Sequence, residues 1–107
     1  MSDEDVTIRD AGDRYVIAIA GSDAGFVDYL DRGAHRVVLH TEVAPEHEGH
    51  GVAAQLVRGA LDDVRAQGKR LVSLCPYVTK FLEKNHDWDE IVDAPTPEIT
   101  DAVRARQ

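Results

Sequence analysis

Residues 46–51 read Glu-His-Glu-Gly-His-Gly and stand directly before a stretch with helical spacing. Glycines at the mouth of a helix let the backbone turn and approach a ligand without a Cβ in between. The first four N–H groups of a helix have no partner inside it, and the helix dipole favours negative charge there. Residues 49–53 therefore have the makings of a phosphate cradle. Glycines at a strand-to-helix turn are as often there only to make the turn. The acids Glu42, Glu46 and Glu48 weigh mildly against a polyanion. The surroundings must decide.

Two other sets of residues have types that can do chemistry. His40, Glu42, Glu46, His47, Glu48 and His50 are all metal-ligand types. They straddle a strand end and a proline, without the paired cysteines or HExxH spacing of a zinc site, so no metal is expected. Cys75, the single cysteine, follows an apolar run, and one cysteine allows no internal disulfide. By position alone it reads as a small core residue more readily than as a nucleophile.

The elements that must hold these groups are legible from periodicity. Residues 6–10 alternate apolar and polar, residues 14–20 (RYVIAIA) form a second run, residues 26–30 a third and residues 36–43 (RVVLHTEV) a fourth. Turn signals roughly every ten residues between such runs describe an antiparallel meander of four strands, with residues 21–25 as one of the turns. The period then changes. Val52, Ala53, Leu56, Val57, Ala60, Leu61 and Val64 make one broad helical stripe, and Gly68 follows as a stop. Residues 70–74 (RLVSL) are a fifth strand, parallel to the fourth because a helix lies between them. Pro76 opens a short second helix to about residue 84, from the favoured position of proline in a first turn. Trp88, Ile91 and Val92 are an apolar patch that folds back onto sheet or helix, residues 94–97 (APTP) look like a stop, and the last ten residues are a short surface helix or a frayed tail.

The whole is a single domain over 1–107, with a core over residues 6–92 and a tail over 94–107. Its 107 residues support one core. A formal net charge of −8 argues against nucleic acid or an anionic membrane surface as partner. No apolar run approaches the length of a membrane span, and the acidic start is unlike a signal peptide, so a cytoplasmic location is the expectation.

Four antiparallel strands, a glycine loop, a helix, a parallel strand and a second helix come in an order that resembles the GCN5-related N-acetyltransferase (GNAT) superfamily. The likeness is greatest to its small YjdJ-type subgroup. It rests on His40-Thr41-Glu42-Val43, on Pro45-Glu46-x-Glu48-Gly49-x-Gly51-Val52-Ala53, on Leu74-Cys75-Pro76-Tyr77-Val78 and on Phe81-Leu82. The resemblance implies an acetyl-CoA cosubstrate whose pyrophosphate lies on the loop, held by the backbone of Gly49, His50, Gly51, Val52 and Ala53. Glu46 stands where Gln or Arg is usual in the superfamily, which implies weaker phosphate binding.

The resemblance also implies a fourth strand splayed from the fifth, with the pantetheine arm in the gap against Thr41, Glu42 and Val43. His40 and Cys75 would both face the thioester, His40 as the base that takes the amine's proton and Cys75 as nucleophile or proton donor. Direct transfer ranks above a covalent acetyl-cysteine. Lys80 and Lys84, usually a solvated helix face, become candidates for the phosphates because the chain has only three lysines. The implied activity is acetyl transfer to an unidentified amine. The alternative is an acyl-CoA-binding or protein-interaction module that keeps the fold without turnover.

Overall fold

The computed structural model describes residues 5–49 and 51–106, the side chain of Arg106 excepted. One sheet has the order β1-β2-β3-β4-β5, built from Val6–Asp10, Arg14–Ile19, Ser22–Arg32, His35–Val43 and Arg70–Ser73. β1 to β4 are antiparallel neighbours and β5 runs parallel to β4. A 3-10 turn, Pro45–His47, and α1, Val52–Ala66, connect β4 to β5. After β5 come α2, Pro76–Lys84, a second 3-10 turn, Asp89–Ile91, and α3, Pro97–Arg106. The architecture is the mixed α+β meander expected from the sequence.

The inner face of the sheet is covered by α1. Leu56, Leu61 and Val64, none more than 1% exposed, pack with Tyr15, Ile17, Val27 and Val38, and with Cys75, Val78 and Trp88 from beyond β5. Each fully buried Leu or Val contributes about 1.5–3 kcal/mol. Trp88 donates its indole N–H to Asp62 at 3.0 Å and Val92 bridges to Leu71, so the apolar patch does fold back.

Two segments differ from their sequence reading. β3 begins at Ser22, so the glycine-rich stretch read as a turn is strand. The turn itself is only Ala20-Gly21, both at positive φ (52° and 85°), the backbone that suits a tight hairpin to the twist of its strands. Gly25 pairs with Ile17 of β2 and Val43 of β4, and the close approach of β4 requires a glycine there: a Cβ would lie 2.7 Å from the Glu42 carbonyl oxygen. The stop read at residues 94–97 is the second correction, while of the two readings of the last ten residues, surface helix or frayed tail, the helix is the one observed. Pro97 starts α3 instead of stopping the chain, and Thr96 accepts from the Ile99 N–H through its Oγ1 at 3.2 Å. Ile99, 4% exposed, packs with Val37 and Val72 on the outer face, joined by Leu39, Leu74 and Val103. Tertiary burial decides what propensity left open.

The end of the sheet near the β3–β4 hairpin is tied by one buried cation. The Arg36 side chain, 5% exposed, donates two bonds to Asp31, at 2.7 and 2.9 Å, and one to the Tyr15 hydroxyl at 2.6 Å. Tyr15 donates to Asp63 on α1, and Tyr29 donates to Asp10 on β1. Hydrogen bonding to Asp31 holds the Arg36 pKa above its ordinary value, and the same bond holds Asp31 low. Burial, then the bonds to Asp63 and Asp10, push the two tyrosines up. Burial alone would raise Asp10, but the bonds from Tyr29 and the Gly12 N–H, with the Arg36 charge, outweigh it and hold it low.

Candidate functional site

β4 and β5 pair only over His35–Val38 with Arg70–Ser73, closed by a last bond from the Leu74 N–H to the Val38 carbonyl at 2.9 Å. β4 continues to Val43 while the chain after β5 turns into α2 at Pro76. The far half of β4 thus has a free edge on that side, which is the expected splay.

Into this opening comes the N-terminus of α1. Gly51 caps it in the left-handed region, φ 74° and ψ 10°, and Gly49 has φ 85°. A glycine cap offers no side chain to the first N–H groups, and no acidic residue stands in the first turn. A fifteen-residue helix therefore presents its positive end bare. The Gln55 N–H bonds to the Gly51 carbonyl at 3.0 Å, so the cap conformation is fixed by the first helical turn.

A cleft of about 340 Å³ lies at this end of the helix. It is lined by Thr41, Val43, His47, Glu48, Gly49, Gly51, Val52, Ala53, Ala54 and Tyr77. Six of the residues expected to bind the cosubstrate (Thr41, Val43, Gly49, Gly51, Val52 and Ala53) are thereby brought to one place. His50 lies outside the described residues. The carboxylate on the cleft wall is Glu48, where the sequence pointed to Glu46.

Other expected site residues are placed elsewhere. Lys80 and Lys84 are exposed on α2 and outside the cleft wall. They share a helical face with Tyr77, one and two turns further on. Tyr77 itself, 41% exposed, was missed as a site residue. An aromatic in the first turn of a helix that leaves a strand end was the available signal.

His40 and Cys75 do not meet as a pair. Asp28 pairs with His40 but Tyr29 pairs with Val38, so Leu39 is an extra residue, a β-bulge. The bulge shifts the alternation of β4 by one. Thr41 and Val43 then face the inner layer, while His40 and Glu42 face outward with Leu39. His40 Nε2 lies 2.9 Å from Glu42 Oε2, and its ring is 6.2 Å from that of Phe26. Cys75, 2% exposed, sits at the cap of α2, with Sγ 3.3 Å from Thr41 Oγ1. The thiol is behind Thr41 and is not itself on the cleft wall. Glu42 likewise leaves the first cleft, and its side chain borders a second one on the outer side.

Among the described residues, no helix is long and apolar enough to cross a membrane. A family model described as GCN5-related N-acetyl-transferase matches residues 14–91. The bovine (Bos taurus) protein named NATD1 is 39% identical over 46 residues, which cover 43% of this chain and 41% of that protein. The chain thus spans well under half the length of that curated relative. A GCN5-like protein from Staphylococcus aureus, solved by NMR, superposes with a TM-score of 0.65 at 17% identity, over 85% of this chain and 91% of that one. The ribosomal-protein-alanine N-acetyltransferase from Brucella melitensis biovar Abortus 2308 gives 0.51 at 23% identity, over 78% and 62%. At these identities the two structures speak for the fold.

Proposed function

The chain belongs to the GCN5-related N-acetyltransferase family, and from that premise we propose that it binds acetyl-CoA in the 340 Å³ cleft and transfers the acetyl group to an amine. One observation carries the reading. Residues far apart in the chain, Thr41 and Val43 on a free strand edge and Gly49, Gly51, Val52 and Ala53 at a bare helix end, line a single cleft. The helix end suits a pyrophosphate, and the backbone of Thr41 and Val43, on the cleft wall at the strand edge away from β3, suits the amide groups of pantetheine. Lys80 and Lys84, which continue the face of Tyr77, would meet the outer phosphates in this reading. Within the family we place the chain in the small YjdJ-type subgroup, acting in the cytoplasm.

Acetyl-CoA, when bound, supplies a thioester: the amine nitrogen bonds to its carbonyl carbon as the carbon–sulfur bond breaks. His40 takes the proton the amine must lose. A proton for the departing sulfur comes from Cys75 by way of Thr41, whose hydroxyl lies on the cleft wall 3.3 Å from Sγ. Net, one proton moves from nitrogen to sulfur. The burial of Cys75 supports direct transfer over an acetyl-cysteine, because the thiol would have to displace Thr41 to attack.

The same placement favours a second reading, a module that holds acyl-CoA without turnover, since base and thiol stand on opposite faces of β4. Calorimetric titration with acetyl-CoA and with free CoA, followed by intact mass, tests the proposal. We expect micromolar binding and no retained acetyl mass, with turnover in an amine screen. Binding without turnover of any amine would support the module, and no binding to either ligand would refute both.

A further inference from the structure

A second cleft, of about 270 Å³, borders the other side of the same strand end. Val16, Phe26 and Glu42 are cross-strand partners and so share one face of the sheet. It is the face opposite Thr41, and Val16 takes no part in the inner core. Val43 lines both clefts, so the free end of β4 is the partition between them. A ligand in the first cleft and a ligand in the second would meet across that edge.

The second cleft has a definite chemistry. Its floor is apolar, from Val16, Phe26 and Pro45, while Arg14, Asp23 and Glu42 stand at its rim. The Phe26 ring already receives a cation, with the Arg14 guanidinium 4.0 Å from its centroid and tied to Asp28 at 2.8 Å. His40 is on neither cleft wall, but its ring, 2.9 Å from Glu42 and 6.2 Å from the ring of Phe26, stands next to these two residues of the second cleft.

We propose that the acceptor enters from this outer face and is a primary amine carried on an apolar body, with Glu42 and His40 receiving its nitrogen. This rests on acetyl-CoA occupying the first cleft. The apolar body lies on Phe26 and Val16, and the ammonium is drawn by Glu42 and by Asp23, which Arg9 also pairs at 3.2 Å. The ammonium gives one proton to solvent, and the neutral amine gives a second to His40 as its nitrogen bonds to the acetyl carbon. Glu42 positions the base as well as drawing the substrate.

The test begins with the acetyl-CoA affinity of the wild type, Glu42→Gln and Phe26→Ala, measured by calorimetry. Release of CoA thiol is then followed with phenethylamine, with spermidine and with a lysine-bearing peptide. Phenethylamine should be turned over best. Its KM should rise about threefold to fivefold in Glu42→Gln, the effect of one exposed charge pair, and about tenfold or more in Phe26→Ala. The acetyl-CoA affinity should stay constant in both variants. If Phe26→Ala fails to fold, Glu42→Gln decides alone. Preference for spermidine or the peptide, a KM unmoved in Glu42→Gln, or no turnover of phenethylamine while acetyl-CoA binds would each overturn the proposal. Loss of acetyl-CoA binding in the wild type would instead overturn the cosubstrate reading on which it rests.

Discussion

Replacing Gly51 with alanine isolates the backbone's share of the proposed phosphate cradle. Beyond its chain neighbours, a Cβ at this position would meet none of the described residues within 4 Å, so the substitution clashes with none of them. Its cost is the left-handed backbone at φ 74°, about 1–2 kcal/mol for any residue with a Cβ. That strain has two places to go. Held by the first turn of α1, it lowers stability, and for a domain of this size the melting temperature falls by about 4–10 °C. If the loop relaxes in the free protein, the strain returns when the loop must close on its ligand. The acetyl-CoA Kd then rises about 5-fold to 30-fold. The two losses together should sum to about 1–2 kcal/mol or slightly more, since the added methyl stands at the wall of the cleft. Gly33→Ala is the control, with φ 61°, open space around its Cβ, and a place in the β3–β4 turn away from the cleft. It should cost stability and leave the Kd alone. Thermal unfolding and calorimetric titration on both variants read the two terms. Gly51→Ala with neither quantity changed, or Gly33→Ala moving the Kd as much, would refute the reasoning.

Arg36→Met should destabilise the domain by about 3 kcal/mol, the low end for breaking a buried charge cluster, because the carboxylates left behind are each partly exposed and can hydrate. Chemical denaturation across pH checks it. Asp10 and Asp31 are held low, so their stabilisation is present above the ordinary carboxylate range and is lost as pH falls through their lowered values. Tyr15 and Tyr29 are held high, so theirs is present below about pH 10 and is lost as pH rises further. The acid slope should therefore flatten in Arg36→Met; an unchanged slope would sink the account. Cys75→Ala should keep acetyl-CoA binding, cost about 1 kcal/mol of packing, and slow turnover by about 100-fold if the thiol supplies the proton. Full turnover in that variant would leave Cys75 as a core residue and nothing more.

Sequence by itself determined the order and type of nearly every element. The stripe from Val52 to Val64 has the period of a helix, and Arg14 to Ile19 has the period of a strand, whatever they pack against. The glycine loop was legible for a similar reason: a helix end needs its N–H groups met, and Gly49 and Gly51 leave them bare. Tertiary structure decided the rest. Ser22 to Gly25 became strand because Ser22, Asp23 and Gly25 pair with Ile19, Ala18 and Ile17 of β2, and glycine suits position 25 because β4 lies close enough to exclude a side chain there. The C-terminal residues became α3 because Ile99 found Val37 and Val72 on the outer face. Most consequential is the single extra residue at Leu39. Strand alternation has period two, so one inserted residue moves every later side chain to the other face. A linear reading had placed His40 together with Cys75; the bulge turns His40 and Glu42 outward and brings Thr41 and Val43 to the inner face instead, with Thr41 against Cys75. Periodicity fixes which residues share a face only until the register slips, and the slip is set by pairing with β3, a contact invisible along the chain.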